Sequence, residues 1–384
     1  VAFNATESAL QDDRPLVVTV ISGMTPGGAQ QLVVDFHSVF PPEFRGEVIG
    51  LYPGPLAERL RRVGVPIREF PFRGPLMLAA IPFVWWELRK RRPHGVITHL
   101  GFANAVGRCA ARLACVPRVI SVYHSLDRWR RNPLWNWLDR VTSHLADHLL
   151  AVSQSVADFL KTNGLDERKV RVCHARGELA ERFPSIELTS EKSAALRSEL
   201  RVPQGAIVSL MAGRLVPAKA YDVALAAWAK VHGRVPGSLL LIAGDGPLLE
   251  SLREQARTLR CEDSIRFLGQ RSDVAVLLRF ADLFVLASRL EGFPIALQEA
   301  FAAGLPAVVS DQPGIQEVVA ITGGALTVPR EDQEALAVAW ERLVVDEELR
   351  IRLGEEARTK ALAQLDVRSM RDDYLRLLGL LPPA

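Results

Sequence analysis

No stretch of the chain is long and apolar enough to cross a bilayer. The longest apolar run, Leu76 to Trp86, is interrupted by Pro82, whereas a spanning helix needs roughly 17–25 residues. With no leader-like segment ahead of it, the expectation is a cytoplasmic protein, or one peripheral on the cytosolic face of a membrane. Cysteine is sparse: Cys109, Cys115, Cys173 and Cys261 form no CxxC pair and have no companion histidine at zinc spacing. That argues against a disulfide framework or structural zinc, and for buried free thiols in a reducing compartment. Strong charge of one sign is also missing, the net charge being +3, so nucleic acid is not an expected partner. Neither a GxGxxG nor a GxxxxGK followed by Ser or Thr occurs, which weakens dinucleotide-binding and P-loop readings. There are no short repeats and no low-complexity tract.

What is present is a globular composition, 48% hydrophobic and 24% charged, in 384 residues, a length that favours two domains. Charge is uneven: residues 1–200 carry 26 Lys and Arg against 20 Asp and Glu, the remainder 21 against 24. A positive first half suits an anionic partner such as a phospholipid surface or a phosphorylated acceptor; ordinary scatter of surface charge fits equally well. Residues 1–14 are polar and unpatterned.

Short β-rich runs alternate with longer helical patterns. LVVTVI (16–21), EVIGLY (47–52), GVITHL (95–100), RVISVYH (118–124), LLAVS (149–153) and VRVC (170–173) punctuate the first half. After a polar stretch from 175 to 204 the alternation restarts with AIVSLMAG (206–213), LLLIAG (239–244), IRFLG (265–269), LFVLAS (283–288) and PAVVS (306–310). Alternation of this kind predicts an α/β fold with parallel sheets covered on both faces. Two Rossmann-like, doubly wound domains facing a central cleft are expected: 15–177, a hinge over 178–204, 205–364, and a final helix over 365–384 that is a candidate to pack back on the first domain.

In such sheets ligands sit beyond the carboxyl ends of the strands. SGMTPGGAQ (22–30) follows the first strand, and Gly27 and Gly28 would let backbone N–H groups approach an anion at a helix N-terminus; a tight turn is the other reading, and the residues alone leave both open. AGRLVPAKAYD (212–222) is the equivalent loop of the second domain. Its Arg214 and Lys219 bracket a helix start, a set suited to a pyrophosphate, although either could be a solvated surface charge. SRLEGFPIALQEAFAAGLP (288–306) places Glu291 on a loop and Glu299 about one turn into a helix that begins near Pro294 and ends at Gly304. An E-x7-E spacing alone is weak evidence.

Together, GRLVPAK, LLIAGDGPLLESL and the run from Phe267 to Asp311 resemble glycosyltransferase family 4, retaining nucleotide-sugar-dependent enzymes of the GT-B fold. The resemblance extends over GGAQ (27–30), residues 97–125 and AVSQSVADFL (151–160). It implies that Arg214 and Lys219 bind the donor diphosphate and stabilise the leaving group, that Glu299 holds the ribose hydroxyls, that Glu291 lies beside the transferred sugar, and that Gly292, Phe293, Pro294 and Ile295 belong to the donor-binding set. Gly28, with Gly27, would approach the donor phosphates, His124 matches the active-site histidine, and Arg271 falls in the base-binding loop. His99 matches the second histidine of the family's HxH stretch. With Trp129 and Arg130 it is a candidate acceptor contact. The implied co-substrate is a UDP- or GDP-sugar and the implied acceptor a glycan or lipid-linked glycan. No Asp-x-Asp occurs, so no metal and no further cofactor is expected; cationic side chains would stabilise the leaving group instead.

Three departures are visible: Ile97 in place of the first histidine of HxH, Ala220 in place of the common glycine after the lysine, and CHARGE (173–178) in place of a Pro-Asn-Gly hinge. Two segments rich in Trp and Arg, FVWWELRKRRPH (83–94) and RWRRNPLWNWLDR (128–140), invite comparison with membrane-interface sequences, while helices on a Rossmann-like sheet carry similar residues for structural reasons. The rival readings are a GT-B sugar-nucleotide epimerase or hydrolase, and a silent sugar-nucleotide-binding protein. Retention of Arg214, Lys219, Glu291 and Glu299 argues against the silent one.

Overall fold

The computed structural model describes residues 13–126 and 132–383. Among these, two wholly parallel sheets form. The first contains β1 (Leu16–Gly23), β2 (Arg45–Tyr52), β3 (Ile67–Glu69), β4 (Gly95–His99), β5 (Arg118–Tyr123), β6 (His148–Ala151) and β7 (Val170–Val172), in the order β3-β2-β1-β4-β5-β6-β7. The second contains β8 (Val208–Ala212), β9 (Leu239–Ala243), β10 (Ile265–Gly269), β11 (Leu283–Leu286), β12 (Ala307–Ser310) and β13 (Ala325–Val328), in the order β10-β9-β8-β11-β12-β13. Every strand read from the sequence is present. The two that were not anticipated, β3 and β13, are short edge strands of three and four residues with exposed positions, too brief for a periodicity to show. Central strands such as β8 and β9 are buried along their whole length, as a sheet covered on both faces requires.

Strand order reverses between β1 and β4 in the first sheet and between β8 and β11 in the second. These reversals are where crevices open in doubly wound sheets. Both fall where the sequence had placed its glycine-rich and charged loops.

The polar stretch at 178–204 is more ordered than its composition suggests. It contains the helix Ser190–Glu199, capped by the Thr189 side chain. Its periodicity is faint because Leu196 is its one buried residue; that leucine joins Leu200 and Val202 in the core with Leu277 and Phe280, and Arg197 lies over the Phe280 ring at 5.6 Å. At the end of the chain, the helix Val367–Leu377 reaches the first sheet: Tyr374 packs on Phe36 with ring centroids 5.6 Å apart, and Arg371 Nη1 donates to the Val39 carbonyl. Leu378 presses on Gly95 so closely that a Cβ there would sit 2.7 Å from its side chain.

All four cysteines are free. Cys173 and Cys261 are buried as expected, Cys109 is half-buried, and Cys115 is exposed. The expectation of four buried thiols fails at Cys115 because it occupies a left-handed turn (φ 60°) after the helix Gly101–Leu113, where the chain is at the surface.

Candidate functional site

At the second sheet's switch point, two loops are joined through their backbones. The Ala218 carbonyl, in the loop after β8, accepts from Arg289 N at 2.8 Å and Leu290 N at 3.3 Å, both in the loop after β11. Arg289, which the sequence reading passed over, staples the junction: its guanidinium donates to both Asp222 carboxylate oxygens at 2.8 and 2.7 Å, to the Pro217 carbonyl and to Glu331. Its signal was its position, two residues before Glu291, next to the motif.

This framework brings Lys219 and Glu291 together. Lys219 Nζ lies 2.5 Å from Glu291 Oε1, which also accepts from Ser288 Oγ at 2.8 Å. Gln312 Nε2 donates to the Glu291 carbonyl at 2.9 Å, so both ends of that residue are held. Arg214 is exposed at the mouth of the same loop, and among the described residues its guanidinium is in no ion pair. Ala220 adopts a left-handed conformation, φ 50° and ψ 40°. The glycine usual there would relieve a strain of about 1–2 kcal/mol, so the departure noted in the sequence is absorbed without changing the backbone turn. Tyr221 OH donates to the Gly213 carbonyl at 3.1 Å and closes the loop.

Gly292 is required for a spatial reason. A Cβ on it would lie 2.0 Å from the His124 carbonyl oxygen, so the two halves of the molecule touch backbone to backbone here. Phe293 stacks on His174, just after β7, ring centroids 4.7 Å apart, and Ile295 begins the helix Ile295–Ala302. Pro294 is the residue before that helix, not its first member; its extended φ and ψ of −70° and 113° put it at the N-cap.

Glu299 is not beside Glu291's lysine. Its Oε1 accepts from Arg182 Nη1 at 2.6 Å. Burial raises its pKa, Arg182 opposing and Asp35 adding like charge. Asp35, on the helix Gly28–Ser38, is itself pushed up by burial, while Gln31 Nε2 at 2.5 Å and the Glu178 backbone N–H stabilise its charged form. This chain of Gln31, Asp35, Glu178, Arg182 and Glu299 links the two halves, and nothing in the spacing announced it, because it joins three segments far apart in sequence. Arg271 stands at the end of β10 held by Asp273 and Glu199, at 2.7 and 2.8 Å.

From the first half come Gly27, Gly28, His99 and His124. Gly28 opens the helix Gly28–Ser38 with no atom within 4 Å of where its Cβ would be, leaving clear space before a helix N-terminus. His99 ends β4 and His124 follows β5, and they are directly bonded, His99 Nδ1 to His124 Nε2 at 2.8 Å. Burial lowers both, His124 to about 4 and His99 well below its ordinary value with His124 adding to the effect. Two neutral rings result, one donating to the other. Leu100, next to His99, holds φ 71°, a strained conformation for a bulky residue. Trp129 and Arg130 lie outside the described residues. No group of His, Cys, Asp and Glu among the described residues has a metal-holding arrangement.

Two doubly wound parallel sheets, each with a switch point after its first strand, are the architecture of the GT-B fold. Residues 13–175 match the model of Glycosyltransferase Family 4, and residues 192–360 that of Glycosyl transferases group 1. The chain belongs to the family 4 glycosyltransferases. It is 27% identical over 285 residues to the UDP-Gal:alpha-D-GlcNAc-diphosphoundecaprenol alpha-1,3-galactosyltransferase of Escherichia coli, covering 72% of each chain. It is 30% identical over 244 residues to the N,N'-diacetylbacillosaminyl-diphospho-undecaprenol alpha-1,3-N-acetylgalactosaminyltransferase of Campylobacter jejuni, covering 63% of this chain and 62% of that one. Among solved structures it is similar to Anabaena Alr3699/HepE in complex with UDP-glucose, with a TM-score of 0.83, 20% identity and coverage of 95% of this chain and 100% of that one; at that identity the likeness speaks for the fold.

Proposed function

We propose that this glycosyltransferase moves a hexose-type sugar from a nucleoside-diphosphate sugar to a hydroxyl of a lipid-linked glycan, with retention at the anomeric carbon and without a metal ion, acting in the cytoplasm at a membrane surface. The observation that carries this reading is the Lys219–Glu291 pair, 2.5 Å apart at the second switch point, in the loop that also carries Arg214, exposed and in no ion pair among the described residues. Two cations in one strand-end loop suit a diphosphate, and Glu291, bonded to Lys219, is the candidate for the sugar attached to it. In the proposed step the bond from the anomeric carbon to phosphate oxygen breaks with its electron pair going to the phosphate. The acceptor oxygen bonds to the anomeric carbon on the same face, and its proton passes to the departing phosphate. Arg214 and Lys219 offset the charge that develops there, a contribution of about 3–4 kcal/mol per well-aimed donor. Glu299 is the candidate for the ribose hydroxyls, Gly27 and Gly28 for the phosphates, Arg271 for the base loop, and His124 and His99 for the sugar and acceptor side.

UDP-sugars are the first donors to test, since HepE was solved with UDP-glucose and the E. coli relative is named for UDP-Gal. A donor that binds only the folded protein raises its melting temperature. The purified protein should then release UDP in proportion to added undecaprenyl-diphosphate-linked acceptor, equally with and without EDTA, and the product linkage should keep the donor's anomeric configuration by NMR. UDP release that needs no acceptor would turn the reading to a hydrolase or epimerase. Loss of activity in EDTA would refute metal independence.

A further inference from the structure

The stretch from Ala175 to Phe183, on the way from the first sheet to the second, is fastened to two successive residues of the helix Ile295–Ala302. Gln298, fully buried, donates from Nε2 to the Ala175 carbonyl at 2.9 Å and accepts at Oε1 from Gly177 N at 3.3 Å. Glu299 comes next, and its Oε1 accepts from Arg182 Nη1 at 2.6 Å. Arg182 is itself held in place. Its neighbours Leu179 and Phe183 are buried in the core, its guanidinium lies over the Phe183 ring at 5.7 Å, and its carbonyl accepts from Ser185 Oγ at 2.8 Å. A cation anchored in this way loses little freedom on holding a carboxylate.

Only one oxygen of Glu299 is taken. Among the described residues its Oε2 has no hydrogen-bond partner, and the side chain, 13% exposed, is not sealed from the cleft. An ionised carboxylate accepts at both oxygens, so the second stands open to a donor of hydrogen bonds. The surrounding charges explain why an arginine is needed. Burial disfavours the charge on Glu299, and Asp35, on the helix Gly28–Ser38 of the first half, disfavours it further, while Arg182 and, to a smaller extent, Arg59 oppose them. Asp35 and Glu178 are likewise raised by burial, and Arg182 counters both. One guanidinium, from the segment between the halves, thus serves carboxylates of each. Without it Glu299 would keep only the weaker help of Arg59 and would take up a proton at higher pH.

We propose that Arg182 is a positioning residue for the donor nucleotide: it holds the Glu299 carboxylate by one oxygen and leaves the other as a charged acceptor for the ribose hydroxyls. The inference deepens the proposed function and rests on its assignment of Glu299 to the ribose. Arg182 acts through Glu299, so donor affinity and donor KM depend on it more than kcat does.

The test is isothermal calorimetry of UDP against dideoxy-UDP, its analogue without ribose hydroxyls, with GDP and dideoxy-GDP as the second pair. Wild type should bind the dideoxy form about 10- to 100-fold more weakly, the worth of hydrogen bonds to a charged group. Arg182→Gln should lose most of that ratio, and Arg182→Lys should recover part of it. The pH dependence of nucleotide binding gives a second reading, which a merely structural contact would not move. Arg182 favours the charged form of Glu299 and Asp35 disfavours it. On acidification, affinity should therefore fall at higher pH than in wild type for Arg182→Gln, and at lower pH for Asp35→Asn; the titration of the nucleotide itself is common to all three. Asp35→Asn decides should Arg182→Gln fail to fold. An Arg182→Gln protein that discriminates as wild type does, or acid limbs that coincide, overturns the proposal and leaves Glu299 at the ribose. Wild type that binds both forms of a nucleotide equally, or binds neither nucleotide, takes the ribose role from Glu299 and sinks the proposal with it.

Discussion

Both halves of the chain reverse strand order after their first strand, at β1/β4 and at β8/β11, yet they furnish these equivalent points with different chemistry. The first half brings neutral groups: Gly28 before open space, and His99 and His124 bonded to one another and kept uncharged by burial. The second brings charge: Lys219 against Glu291, with Arg214 exposed beside them. The contrast extends to how each half uses its buried ions. The second half keeps its ion pair at the site mouth, while the first half keeps its own, Arg108 with Asp139, fully buried between the helices Gly101–Leu113 and Pro133–Ser143. One topology thus supports a charged side, which the proposed function gives to a diphosphate, and a neutral side, which it gives to a sugar or hydroxyl, because topology sets where loops converge and side chains set what they hold.

That contrast can be broken from either side. Asp139→Ala should have the largest effect on stability, about 3–5 kcal/mol in a urea titration, because it leaves Arg108 buried without its counter-charge. A loss under about 1 kcal/mol would mean the pair does not hold the helix. Lys219→Ala should leave the melting transition in place and reduce kcat/KM by about 100- to 1000-fold in a UDP-release assay; near-normal turnover would remove it from the diphosphate role.

The pH response should separate the halves further. His124 is lowered to about 4 from 6.5, so as pH falls through that window the unfolded chain takes up a proton the folded chain refuses, and stability is lost. Glu299 is raised by burial. Its contribution has the opposite sign, present below the ordinary value of 4.5 and lost as pH rises through the raised pKa. Replacing His124 by Gln should flatten the acid-side loss between pH 6.5 and about 4, read by denaturant midpoints, and an unchanged slope would show that its ring titrates normally. The smallest effect is expected at Ala220→Gly. Relief of the left-handed strain is offset by a lost methyl and a freer unfolded chain, so stability should stay within about 1 kcal/mol of wild type. A larger loss would show that the alanine methyl is needed in the core.

Much of the site was legible because its residues sit in local motifs. Arg214 and Lys219 lie five residues apart in one loop, and Glu291 follows the end of β11 by a few residues, so strand-end position together with the family resemblance marked them. Arg289 was adjacent and overlooked, since an arginine in a loop gives no sign of whether it binds a ligand or staples two turns. Arg182 and Asp35 could not be found at all: their meeting with Glu299 depends on how the hinge and the helix Gly28–Ser38 come together. The exposed Cys115 was misjudged for a related reason, as apolar neighbours in sequence do not fix which way a turn residue faces.

The sequence by itself determined two doubly wound parallel sheets, because β and helical periodicities are local and each strand's apolar run records its burial on both faces. It determined the family as well, through motifs in order. Only the tertiary structure decided that Gly292 must be bare to meet His124, that Lys219 and Glu291 pair, and that the helix Pro133–Ser143 turns Trp137 outward. These depend on distances between segments far apart in the chain, and in the last case on a buried Arg108 whose counter-charge lies 31 residues away.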